Sequence, residues 1–545
     1  MKKLLFTFFL LCLACGVQGQ KKQLKEAKAL FESSIEIHDE NKQIEHFKKI
    51  LELAPQSPYG LFAKAWFQIR RNDCEGVFKT IEQIRKDHHD MWEVYYLTIL
   101  CYLQMGDLEK AYQDCEKIFK LSPQKQHEYA YGLRAIIKMG KRDIKGAMED
   151  CEKAISLKSN VGEYYNMRGM LKNELHDIEG AMQDYNKALE TAYKKDEVYN
   201  NRAELYLRLG KPTEALQDFD KAIEINRNSF QAYSNRANLK SDLGDTEGAL
   251  KDYQEAININ PYFAGAYSNR GNLIKQMGDY DKALADFDKA IELAPNYAEA
   301  YNNRGILKAD YKQLKEALAD YDKALELDSN YVKTYNNRGN LRVKLGDKKG
   351  ALEDYNTFIA MAPQIPEGYH GRGALKAKMG DIEGALKDYD KAIDINPNYA
   401  NVYYSRGNLN RQTGKLEDAI ADFDKVIKFQ PNDAEAYNNR GLVKLMLNKF
   451  QEAVQDFDKA IVFDSKLVDA YGNRGIAKYS LKDFEGAIQD MDKTIELAPN
   501  YADAYHNRGF FKINTGQKEG ACQDFKKAYE LGSAKSLEAL KYYCK

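Results

Sequence analysis

Residues 298–331 read AEAYNNRGILKADYKQLKEALADYDKALELDSNY, and the next 34 residues, 332–365, read VKTYNNRGNLRVKLGDKKGALEDYNTFIAMAPQI. Tyr301 and Tyr335, Arg304 and Arg338, Gly305 and Gly339, Ala317 and Ala351, and Asp320 and Asp354 fall in register. Working outward in both directions, the arginine recurs every 34 residues from Arg134 to Arg508, twelve times without an insertion. A tyrosine precedes each by three residues, Gly or Ala follows it, an alanine lies thirteen residues on and an aspartate sixteen. Self-similarity at a fixed period of this size is the mark of a stacked repeat architecture, and it fills residues 128–535.

Each unit, counted from 1 with the arginine at 7, predicts two helices. Positions 4, 8 and 11 share one face of the first helix, and 20, 24 and 27 share one face of the second. Gly244-Asp245, Gly278-Asp279, Gly346-Asp347 and Gly380-Asp381 put a helix-ending glycine beside a helix-capping aspartate between them. Pro261, Pro295, Pro363, Pro397, Pro431 and Pro499 stop the second helix. Small residues at 8 and 20 let the backbones approach, and an aromatic at 24 supplies bulk. The charged columns at 7 and 23 border the apolar stripes and are expected to pair, within a unit or with the next, because an unpaired charge there is costly.

This pattern resembles the tetratricopeptide repeat (TPR), with Arg at 7 and often Lys at 11 where the family usually has Leu and Tyr. The resemblance implies an all-α, right-handed α-α superhelix (solenoid) of about fifteen 34-residue helix-turn-helix repeats. Three divergent units occupy 24–125, twelve regular units 128–535, and a C-terminal capping helix 536–545 shields the open end. It also implies a concave groove lined by positions 2, 5, 6, 9, 12 and 13, in which a protein or peptide partner lies. The family members that clamp chaperone carboxyl termini carry Lys at 5, which no regular unit has here.

The 545 residues carry 81 Lys and Arg against 82 Asp and Glu, a net charge of −1, so the basic excess of a nucleic-acid binder is missing. Residues 1–19 read as a secretory signal peptide: Lys2 and Lys3, then an apolar run from Leu4 to Leu13, then cleavage after Gly19. Leu13-Ala14-Cys15 offers the alternative of a lipid anchor on Cys15. Either way the chain is expected to be exported, to the periplasm or outer envelope of a bacterium, and no transmembrane segment follows the leader. Six cysteines remain, none with metal-ligand spacing, and Cys522 and Cys544 are placed to form a disulfide between the last unit and the cap.

No phosphate loop, nucleophile elbow or His-Glu-x-x-His is present, so no catalytic residue, cofactor or metal is assigned. The expected function is a non-catalytic exported scaffold. The alternatives are a lipid-anchored structural subunit of an envelope assembly and an enzyme with a singular pocket. Groove asparagines are candidate contacts to an extended peptide, since an amide both donates and accepts: Asn238, Asn272, Asn303, Asn337, Asn340 and Asn408. In the last units groove positions 9, 12 and 13 turn apolar, with Leu442, Leu445, Met446, Ile476 and Tyr479, then Phe510 and Ile513. A docking groove centred on residues 442–479 is therefore expected, with the cap as competitor for Phe510 and Ile513.

Overall fold

A computed structural model describes residues 20–34, 40–191 and 194–545. Residues 1–19, expected to be a signal peptide, lie outside them. Among the described residues the regular elements are all helical, thirty-one α-helices and one 3₁₀ turn at Gln124–Gln126, paired as the helix-turn-helix repeats typical of a TPR solenoid. None of these helices is long and apolar enough to cross a membrane. The chain divides into two compact units, Met1–Leu273 and Ile274–Lys545.

A repeat in the second unit shows why the sequence folds this way. Ala298–Asp310 and Leu314–Leu327 are its two helices, and Val332–Leu345 begins the next repeat. Ala317 and Tyr321 (positions 20 and 24) pack with Leu341, position 10 of the following repeat. The same trio recurs as Ala351, Tyr355 and Leu375, and as Ala419, Phe423 and Val443. The first unit repeats it with Ala203, Ala215, Phe219 and Leu239. Each fully buried ring contributes roughly 1.5–3 kcal/mol. The close approach at position 8 is strict: a Cβ on Gly305 would lie 2.8 Å from the Tyr321 ring.

Two details depart from the expected stripes. Position 10, not 11, carries the buried apolar column of the first helix, because it points toward the second helix of the preceding repeat. Position 11 instead sends a lysine to the acidic column. The first unit also begins with a larger continuous core that includes Phe31, Phe47, Phe62, Trp92 and Tyr95, with Phe31 at position 8, where the regular repeats carry Gly or Ala.

Between the helices, position 15 takes the left-handed backbone. Gly346 has φ +84° and is followed by Asp347, whose Oδ1 accepts the Gly350 N–H at 2.9 Å. Asn72, Arg142, His176, Lys312, Asn448 and Lys482 hold the same conformation at the same position without being glycine.

Candidate partner-binding surface

The arginine and aspartate columns pair within a repeat. Arg304 Nε donates to Asp320 Oδ2 at 3.0 Å and Nη2 to Oδ1 at 2.6 Å, while Lys308 Nζ lies 2.7 Å from the same carboxylate. Asp320 is only 5% exposed. The third guanidinium nitrogen leaves the repeat: Arg304 Nη1 donates to Asp288 Oδ1 at 2.6 Å, position 25 of the preceding repeat. Arg236 does the same with Asp252 and Asp220, and Arg474 with Asp490 and Asp458. A guanidinium can do this because its rigid fork presents donors on two edges. In the third divergent unit Thr98 stands at the arginine position and its hydroxyl donates to Asp114. These charges hold repeats together and are engaged with one another.

The asparagines form a second ladder. At position 6 the amide donates to position 5 of the preceding repeat: Asn201 to Asn166, Asn337 to Asn302 and Asn473 to Asn438, each at 3.1 Å. Asn303 is buried and accepts from Asn302 at 3.3 Å. At position 9, Asn238 accepts from the Tyr253 hydroxyl and Asn340 from the Tyr355 hydroxyl, both at 2.6 Å. Asn408 accepts from Arg411 at 3.4 Å, and Asn272 is half-buried. Where the ladder holds His370 and Ser405, His370 Nε2 and Ser405 Oγ are 2.9 Å apart, and burial lowers the histidine pKa. Much of the polar strip thus spends hydrogen-bonding capacity inside its own repeat or on the preceding one.

The apolar strip is uneven. Leu445 packs beside Ala453, Phe457 and Ala477. Ile476 and Tyr479 lie against Met491 and Phe511, and the Tyr479 and Phe511 rings stack at 4.5 Å. Leu442 is half-buried, whereas Met446 is 49% and Phe510 37% exposed. The last helix, Ala534–Tyr543, covers Ile513 through Leu540 and Tyr543. A disulfide joins Cys522 to Cys544, with Cα atoms 5.7 Å apart. Cys115 and Cys151 are fully buried free thiols, which burial pushes up to about 12.

One feature of the first unit went unread in the sequence. A cavity of about 140 Å³ is lined by Phe62, Trp66, Trp92, Glu93, Tyr96 and Tyr129 among others. Trp66, Tyr96 and Tyr129 occupy groove positions 9, 5 and 2 of the last two divergent repeats and the first regular one. The available signal was that both tryptophans of the chain fall here, in repeats whose groove positions are aromatic.

Family models described as tetratricopeptide repeat or TPR repeat match residues 93–125, 162–194, 196–260, 264–297, 308–346, 332–365, 376–414, 407–447, 434–467, 468–501 and 502–531. No curated protein matches significantly. Among solved structures, the chain is similar to the APC/C hetero-tetramer Cut9-Hcn1, at 13% identity, with 84% of this chain and 97% of that one covered and a TM-score of 0.47. YrrB, a TPR protein with an unusual peptide-binding site, matches at 28% identity over 34% of this chain and 97% of its own, with a TM-score of 0.29. A tetratricopeptide repeat protein from Parabacteroides merdae ATCC 43184 matches at 23% identity over 46% and 98%, with a TM-score of 0.37.

Proposed function

The chain belongs to the tetratricopeptide repeat family, and from that premise we propose that it is an exported, non-catalytic scaffold that captures a protein or peptide partner in its groove. The observation that carries the docking site is the change at groove position 9 from mostly amides over residues 238–408 to Leu442, Ile476 and Phe510 after residue 440, with Met446 and Phe510 left partly in water. Leu442, Leu445, Ile476 and Tyr479 flank them and give the strip a firm floor. An apolar peptide segment laid along it removes that surface from water. Groove amides with spare capacity, such as Asn272, then fix the backbone of the peptide.

Export is supported by the leader at 1–19 and by the Cys522–Cys544 disulfide, which persists in an oxidising compartment. Cys15 favours a second reading, a lipid-anchored subunit of an envelope assembly. Intact-mass analysis of the cellular protein separates the two: a chain starting at Gln20 supports the free form, and a diacylglyceryl group on Cys15 supports the anchored one.

The docking site is tested by photo-crosslinking in cells. A photoreactive residue at Met446 is expected to trap one discrete partner, and the same residue at exposed Lys459 on the neighbouring second helix is not. Binding of that purified partner should fall about tenfold in Met446→Lys, a side chain half in water whose loss leaves the core packed. Equal trapping from both positions, or undiminished binding by M446K, would place the partner elsewhere.

A further inference from the structure

The cavity beside Trp66 and Trp92 has a size and a chemistry that narrow what it takes. Its volume of about 140 Å³ is near the ~150 Å³ that accommodates one benzene-sized group. It falls short of the roughly 300 Å³ at which cofactor-sized pockets begin. One side-chain head fits. The wall is largely aromatic: Trp92 is 9% exposed, Phe47 backs Trp66 at 4.9 Å between ring centroids, and Tyr96 is 40% exposed. Ring faces are negative, so such a lining attracts a cation as readily as an apolar group.

Glu93 decides between those two. It brings a carboxylate into the same wall, and among the described residues no cation pairs with it. The cations around the cavity are held elsewhere: Lys28 lies 3.7 Å from Glu32, Lys158 3.7 Å from Glu128 and Lys194 2.9 Å from Glu197. Arg70 sits 4.9 Å from the Trp66 centroid and Lys158 5.3 Å from that of Tyr129, so two of these rings already rest against cations of the chain itself. Burial raises the Glu93 pKa, and Asp90 and Glu32 add like charge. A bound cation would relieve both. A purely apolar guest would instead deepen the desolvation of an unpaired carboxylate.

We propose that this pocket receives the ammonium or guanidinium head of a lysine or arginine side chain carried by a protein partner, held over Trp66, Trp92, Tyr96 and Tyr129 and paired with Glu93. The proposal rests on the reading of the groove as a peptide-binding surface, though not on docking at Met446.

The two tryptophans report on the site directly, since the chain has no others. The full chain is titrated with acetyl-Gly-Lys-Gly-amide, with the neutral isostere containing norleucine, and with butylammonium, following tryptophan emission. The lysine peptide should shift emission saturably, and the norleucine peptide should bind about tenfold more weakly. Glu93→Gln and Tyr96→Leu should each weaken the lysine peptide about fivefold or more, with far-ultraviolet dichroism unchanged. Because Tyr96 is partly exposed, Y96L keeps the test readable if E93Q perturbs folding. Norleucine binding as tightly as lysine, butylammonium binding more tightly than the peptide, or no response to any probe would each overturn the proposal. Failure here with the Met446 crosslink intact removes the cation pocket alone. Loss of both removes the groove reading.

Discussion

At position 23 of the regular repeats a nearly dry carboxylate meets an arginine, and in two of these carboxylates the proton affinity moves in opposite directions. Burial by itself raises the pKa of Asp150, but Arg134 and Lys138 overcome it and hold the group below the ordinary carboxylate range. Asp422 has Arg406 but finds Asn410 where the lysine usually stands, and there burial prevails and the pKa is raised. The two therefore act oppositely on stability. The Asp150 contribution is present above the unfolded carboxylate pKa and lost as pH falls through the lowered native value. That of Asp422 is present below the unfolded pKa and lost as pH rises through the raised native value. Asn410→Lys should place an ammonium near Asp422, as Lys308 sits 2.7 Å from Asp320. The Asp422 pKa should then fall, as the Arg134 and Lys138 contacts lower that of Asp150, and stability at pH 7 should rise by about 1 kcal/mol. Carboxyl NMR titration and urea unfolding read the two effects, and an Asp422 still titrating above the ordinary range would refute the account. The paired columns were legible as columns. The third contact, from Arg304 to Asp288, was not, because it depends on how one helix pair docks on the previous one.

Among the elements, the turn at position 15 is set by backbone geometry. Its φ lies between +58° and +86° in every repeat where it is recorded as positive, whatever the side chain. A non-glycine residue held there gives up roughly 1–2 kcal/mol relative to the right-handed region. Lys482→Gly should therefore stabilise the Val468–Ser480 and Phe484–Leu497 pair by about 1 kcal/mol, and Gly346→Ala should cost a similar amount in its own repeat. Amide exchange in the two helices flanking each site is the direct measurement, and an unchanged protection pattern in K482G would show that the strain is absorbed elsewhere. Glycine-aspartate pairs made this turn visible in the sequence. Repeats with Lys or Arg at 15 hid it, since the conformation is imposed there by packing of the adjoining helices.

Across the whole chain, stability is expected to follow neighbouring repeats, since each small core is shared between one helix pair and the next. The end of the chain is where that logic needs help, and there the Cys522–Cys544 disulfide closes a 22-residue separation. A loop of that size contributes about 3 kcal/mol in the chain-entropy account. Cys544→Ser should thus expose Ile513 and Phe525 by loosening Ala534–Tyr543, raising amide exchange in that helix and the last repeat. Protection in the first unit should stay as it was. Loss of protection throughout the chain would mean that the cap governs more than its own neighbour.

The period, the helix pairing, the buried ring at 24 and the small residues that admit it were determined by the sequence alone. Each follows from a local rule applied many times in register, so errors in one repeat are corrected by the others. Only the tertiary structure decided which groove side chains are free. Asn337 is spent on a ladder between repeats, Asn303 is buried against Asn302, Tyr479 is stacked on Phe511, and Met446 is left half in water. It alone assembled the aromatic pocket, from the last divergent repeats and the first regular one, whose aromatic groove residues belong to no recurring column. A repeat pattern specifies which positions meet, but the exposure of a side chain depends on the particular residues that the neighbouring helices bring against it.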